Sequence, residues 1–133
     1  MREFLFVCVH NAGRSQMAEA FVNHYAKLNG LPVKGASAGT IGGKTLNPMV
    51  VQAMEEFGIS MAGQSPKLLT KEMLGPETTA ITMGCGVDAD ACPTKFLAAE
   101  DWGLDDPAGK GIEAVRAIRN EIDLRVRALL GVD

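Results

Sequence analysis

Nothing in these 133 residues is long and apolar enough to cross a membrane. The longest early apolar run, Phe4 to Val9, is also too short for the core of an export signal, and Met1-Arg2-Glu3 is not a basic lead-in. Cysteine is scarce: Cys8, Cys85 and Cys92 make an odd number in a chain without an evident export signal. That disfavours a structural disulfide framework and favours reactive thiols in a reducing cytoplasm. Only two histidines are present, His10 and His24, at no usual ligand spacing, so no zinc site and no resident cofactor are expected. Nor is there a strong charge of one sign. A net charge of −3 and a pI near 5.4 argue against nucleic acid or an acidic membrane surface as partners. Repeats, linkers and low-complexity stretches are missing as well. What remains is an ordinary soluble composition, 47% apolar and 22% charged, of a size that fits one domain, residues 1–133, around one core. A monomer is expected.

The informative stretch is Cys8-Val9-His10-Asn11-Ala12-Gly13-Arg14-Ser15. Before it, Phe4-Leu5-Phe6-Val7-Cys8-Val9 is continuous and rich in β-formers, which reads as a strand buried on both faces. From Ser15 the apolar positions shift to helical spacing: Met17, Phe21, Tyr25 and Leu28, with Ala18, Val22 and Ala26 beside them. A short strand-to-helix loop aims successive backbone N–H groups and the positive helix end into one small concavity. Such a concavity suits a tetrahedral oxyanion, bound by the loop Val9, His10, Asn11, Ala12, Gly13 and Arg14. The Arg14 guanidinium can grip two oxygens at once, and Cys8 sits where the same field favours a thiolate.

The rest of the chain alternates strands and helices. Val33–Gly39 reads as a second strand; Asn47-Pro48 caps and opens a helix with Val50, Val51, Met54 and Phe57 on one face, stopped by Gly58. A weak helical turn follows between Lys67 or Thr70 and Leu74, then a third strand from Thr78 to Met83. Phe96–Ala99 offers a fourth strand. The last helix carries Ile112, Val115, Ile118, Ile122, Val126 and Leu129 on one face and ends at Gly131. Alternation of this kind gives an α/β layer sandwich on a parallel sheet with right-handed crossovers.

Attack of Cys8 on phosphate or arsenate needs a thiolate, donors for the equatorial oxygens and a proton for the departing oxygen. Ser15 can donate to the thiolate or simply cap the helix; both readings are open. Asp106, within Asp105-Asp106-Pro107-Ala108-Gly109, is the best proton donor on offer, and otherwise part of a solvated loop. A phosphatase needs one thiol only. Cys85 and Cys92 become useful if the bound oxyanion accepts two electrons, as pentavalent arsenic does. Seven positions apart on an intact helix, their Cα atoms would be about 10 Å apart, beyond the roughly 7 Å limit for a disulfide. The segment between them must then be looped or unwind on oxidation.

With Cys8-x5-Arg14-Ser15-Gln16-Met17-Ala18-Glu19, Ser37-Ala38-Gly39, Asn47-Pro48, Cys85-x6-Cys92-Pro93, Trp102 and Asp105 to Lys110 on the page, the chain resembles the thioredoxin-coupled arsenate reductases, built on the low-molecular-weight protein tyrosine phosphatase fold. The resemblance covers nearly the whole length. It implies a three-layer sandwich with a four-stranded parallel sheet in the order 2-1-3-4. It also implies roles: Cys8 as nucleophile, Arg14 as oxyanion clamp, Asp106 as general acid. Cys85 would be the resolving thiol, and Cys92 would carry the disulfide to thioredoxin. Ala108 and Gly109 stand where the phosphatases have aromatic residues, which implies a small, open mouth. Some members of the family bind potassium through residues aligning with Asn11, Glu19, Ser37 and Ser65 together with a carboxylate; here Lys67 takes the carboxylate's place. A lysine cannot ligate a cation, so no potassium activation is expected, and the ammonium either replaces the ion or is plain surface. Competing readings are a phosphatase using Cys8, Arg14 and Asp106 alone, and a redox sensor or phosphocarrier based on Cys8.

Overall fold

A computed structural model of the chain describes residues 2–41, 45–83, 100–104, 107 and 109–132. The chain runs β1 (Arg2–Cys8), α1 (Arg14–Asn29), β2 (Val33–Gly39) and α2 (Pro48–Glu56). A 3-10 turn (Lys71–Met73), β3 (Thr78–Thr82), β4 (Glu100–Asp101) and α3 (Ile112–Leu130) complete it. All strand pairs are parallel, in the order β2-β1-β3-β4, the topology that the resemblance implied.

β1 is central, and Leu5, Phe6 and Val7 are wholly buried, as its unbroken apolar run demands. Alternation along the strand divides its side chains between two cores. Phe4, Phe6 and Cys8 join the larger one, with Met17 and Phe21 of α1, Val50 and Met54 of α2, and Val115, Ile122 and Val126 of α3. Leu5 and Val7 face the other side, where Ala38, Leu69, Met73 and Leu74 cover them. The sheet is therefore the middle of three layers, with all three described helices in one outer layer. Among the described residues, the second outer layer is the segment around the 3-10 turn.

Helix ends follow local chemistry. Asn47 caps α2 by accepting from the Met49 N–H, with Pro48 at the first helical position. α1 and α3 stop at Gly30 and Gly131, both left-handed. Within α2 the buried side is Val50, Ala53 and Met54; Phe57 lies beyond the last turn, edge-on to Phe21. The described fourth strand is Glu100–Asp101, later than the apolar patch at Phe96–Ala99, which lies outside the described residues. Both of its residues are exposed at the sheet edge, where charge discourages pairing with another chain and no apolar signal marks the strand.

Candidate active site

β1 ends at Cys8 and α1 begins at Arg14, so residues 9–13 form the turn between the strand and the start of the helix. Their carbonyls are tied outward. Thr40 and Ile41, just past β2, donate their N–H groups to Cys8 O and Val9 O, both at 2.9 Å. Asn47, at the cap of α2, donates to Ala12 O at 2.9 Å, and Gln16 Nε2 donates to Asn11 O at 3.0 Å. In a trans peptide the N–H points opposite to the C=O. The N–H groups of Val9, His10, Ala12 and Gly13 are thereby turned away from those carbonyl partners. Asn11 has φ +56°, a left-handed conformation that asparagine tolerates better than most side chains. Its N–H reaches Cys8 Sγ at 3.2 Å.

Close approach is built in. A Cβ on Gly39 would come within 2.6 Å of Val9 O, so only glycine lets the end of β2 lie against the loop. A Cβ on Gly13 would come within 2.9 Å of Pro107 Cγ. Pro107, buried, thus rests on the loop.

Cys8, 4% exposed, also has Ser15 Oγ at 2.9 Å. The direction of that bond can be worked out. The Lys67 backbone N–H donates to Asn11 Oδ1 at 2.8 Å, which fixes the orientation of the Asn11 amide. Asn11 Nδ2 therefore donates to Ser15 Oγ at 2.8 Å, and when Cys8 is a thiolate, which can only accept, the Ser15 O–H donates to its sulfur. A thiolate here would accept from the Ser15 O–H and the Asn11 N–H. Of the two readings of Ser15, capping gives way: the cap position of α1 is Gly13 and no side chain caps the helix.

Arg14 is 5% exposed, and its Nη1 donates to Met83 O at 3.1 Å and Leu104 O at 2.7 Å. These carbonyls end β3 and follow β4, immediately before the stretches that carry Cys85 and Asp106. The arginine is accordingly an anchor for the surrounding backbone, a duty with no signature in the residue pattern, as well as a candidate oxyanion clamp. Cys85, Cys92 and Asp106, with Asp105 and Ala108, lie outside the described residues.

Behind the loop, the Lys67 ammonium lies 3.4 Å from Glu19 Oε1 and 3.3 Å from Ser65 O, and Ser37 Oγ donates to the same Glu19 oxygen at 2.7 Å. The ammonium thus sits against two of the residues aligned with the family's cation site, Glu19 and Ser65, with Ser37 on the same Glu19 oxygen, and Lys67 is not plain surface. His10 is exposed; so is His24, edge-on to Tyr25. Trp102 packs against Phe6. Two further residues were not singled out as functional. Gln16, wholly buried, donates to Asn11 Oδ1 at 2.9 Å and Ser65 O at 2.8 Å, and Gln64 donates to Gln16 Oε1 at 2.7 Å. Glutamines carry no spacing signal, so only a buried position one step past Ser15 could have flagged the first.

A parallel α/β sheet whose central strand ends in a buried, hydrogen-bonded cysteine, with a short turn leading to a buried arginine at the head of the next helix, defines a class: α/β proteins with a cysteine–arginine loop between first strand and first helix. The chain belongs to the family described as low molecular weight phosphotyrosine protein phosphatase, which it matches over residues 3–132. It is 31% identical to a glutaredoxin arsenate reductase of Synechocystis, over 98% of this chain and 97% of that protein. Among solved structures it is similar to an arsenate reductase in the phosphate binding state (30% identity, 98% of both chains, TM-score 0.81). It is also similar to a thioredoxin-dependent arsenate reductase of Corynebacterium glutamicum, with 37% identity and a TM-score of 0.76, over 98% of this chain and 61% of that one.

Proposed function

We propose that this enzyme reduces arsenate to arsenite with three thiols used in turn. The Cys8 thiolate attacks arsenic(V) held in the loop of residues 9–14, with Arg14 and the loop N–H groups on its oxygens. Asp106 protonates the oxygen that leaves as water. Cys85 then attacks the Cys8 sulfur; the sulfur–arsenic bond breaks, its electron pair stays on arsenic, and arsenite departs. Cys92 attacks Cys85, freeing Cys8 and leaving a Cys85–Cys92 disulfide for thioredoxin to reduce.

The observation that carries the first step is the pair of donors, Ser15 Oγ and the Asn11 N–H, on Cys8 Sγ. Similarity to arsenate reductases over nearly the whole chain supports the substrate, and the thiols at 85 and 92 support reduction over hydrolysis. The relatives' names point to two kinds of reductant, a thioredoxin and a glutaredoxin; Cys92 favours thioredoxin. The family's description favours one second reading, hydrolysis of aryl or tyrosine phosphates by Cys8, Arg14 and Asp106 alone.

Arsenite production should be sustained by thioredoxin, its reductase and NADPH, and slower by at least tenfold with glutathione and glutaredoxin. Replacing Cys8 or Cys85 by Ser should abolish arsenite production, whereas Cys92→Ser should allow one turnover and block recycling. Rapid hydrolysis of p-nitrophenyl phosphate, unchanged by Cys92→Ser and without arsenite production, would instead establish the phosphatase. None of the described helices is long and apolar enough to cross a membrane; a cytoplasmic setting is part of the proposal, as is a monomeric state.

A further inference from the structure

Gln64 stands in the turn before Lys67, outside the loop and outside α1, and touches neither Cys8 nor the candidate oxyanion loop directly. Its amide nitrogen donates to Gln16 Oε1 at 2.7 Å and Gln16 O at 3.2 Å. Both partners are acceptors, so the orientation of the Gln64 amide is settled. Gln16 in turn has its nitrogen facing three oxygens, Asn11 O, Asn11 Oδ1 and Ser65 O. If its amide turned over, its oxygen would face all three, and being wholly buried it could not recover the loss from water. The Gln16 amide is thus oriented by the Asn11 and Ser65 carbonyls, and Gln64 holds its oxygen from the far side.

We propose that Gln64 is a positioning residue for the Cys8 thiolate, acting through Gln16, Asn11 and Ser15. Gln64 braces the Gln16 side chain through its oxygen; Gln16 holds Asn11 in its left-handed conformation from both its carbonyl oxygens. Asn11 then delivers its N–H to Cys8 Sγ and its side-chain nitrogen to Ser15 Oγ, which leaves the Ser15 O–H to donate to the thiolate. Four side chains thus translate one surface-side hydrogen bond into two donors on the nucleophile. The inference rests on Cys8 being the nucleophile, as proposed above.

The titratable and charged residues of the loop, the first turns of α1 and the segment from Gln64 to Lys67 are His10, Arg14, Glu19 and Lys67, besides Cys8 itself. None of them is Gln64's hydrogen-bond partner, so changing Gln64 leaves their charges in place. Gln64→Met keeps the side chain's length and removes its donor; Gln64→Lys restores a donor. With Cys85 and Cys92 replaced by Ser, so that Cys8 alone reports, the rate of alkylation by iodoacetamide against pH gives its apparent pKa. Gln64→Met should raise it by roughly half a unit to one unit, and Gln64→Lys should bring it back to the parent value or below. Because Gln64 carries no charge, a purely electrostatic role predicts no change in the Met variant. An unchanged pKa in Gln64→Met, with the folded signal intact by circular dichroism, overturns the proposal. So does a rise that Gln64→Lys does not reverse. The titration needs no arsenate, so a failure to make arsenite would count against the enzyme reading and leave this result standing.

Discussion

Ser15 shows what a single residue's surroundings decide. In the sequence its hydroxyl was equally suited to a helix cap and to a thiolate. The difference lies in where Asn11 Nδ2 points, which depends on the backbone of Lys67, 52 positions later than Ser15. Ser15→Ala removes one donor from Cys8 Sγ without altering the fold. Hydrogen bonds to charged groups contribute about 1.5–3 kcal/mol, so turnover near neutral pH should fall by about tenfold or more. Raising the pH should recover part of the loss as the thiol ionises; a loss independent of pH would show that Ser15 does not act on the thiolate. Cys8 and Arg14 were legible because a strand, a spacing and a helix frame them. The backbone carbonyls on Arg14, at Met83 and Leu104, were not, since main-chain groups leave no trace in a residue pattern.

At the scale of elements, α1 and α3 were readable from their apolar periods and β1 from its unbroken apolar run. β4 was not: two exposed carboxylic residues at a sheet edge carry no such period. What joins the elements was equally hidden. Tyr25 on α1 donates its hydroxyl to Asp123 on α3, which also holds Arg127 at 2.9 Å. Burial, and then the Asp123 carboxylate, push the Tyr25 hydroxyl up to about 12. Its folded value exceeds the ordinary 10, so the stabilisation is complete below pH 10 and is lost as pH rises from 10 towards 12. Tyr25→Phe should cost about 1–2 kcal/mol at pH 7 by leaving a buried carboxylate short of a donor. Urea unfolding at pH 7 and above pH 10 should show the gap between the variant and the parent narrowing; a gap constant across that range would contradict the assignment. The second pairing of elements is that of Lys67 with Glu19 and Ser65. An ammonium already occupying that position should make activity equal in sodium and potassium buffers of the same ionic strength. A clear preference for potassium would refute it.

For the molecule as a whole, the sheet order and the three layers were implied by resemblance and are observed, whereas an α/β layer sandwich on a parallel sheet could be argued from alternation alone. The proposed chemistry asks more of the chain than its described residues, because two of the three thiols lie beyond them. Its central claim is an electron count: two thiols consumed for each arsenite released. The direct measurement is a single turnover of fully reduced Cys92→Ser protein with one equivalent of arsenate, followed by thiol titration, disulfide mapping by mass spectrometry and arsenite determination. The account predicts one arsenite per protein, both remaining thiols lost, and a Cys8–Cys85 disulfide. Both thiols still free with no arsenite formed, in a protein that hydrolyses an aryl phosphate, would contradict it.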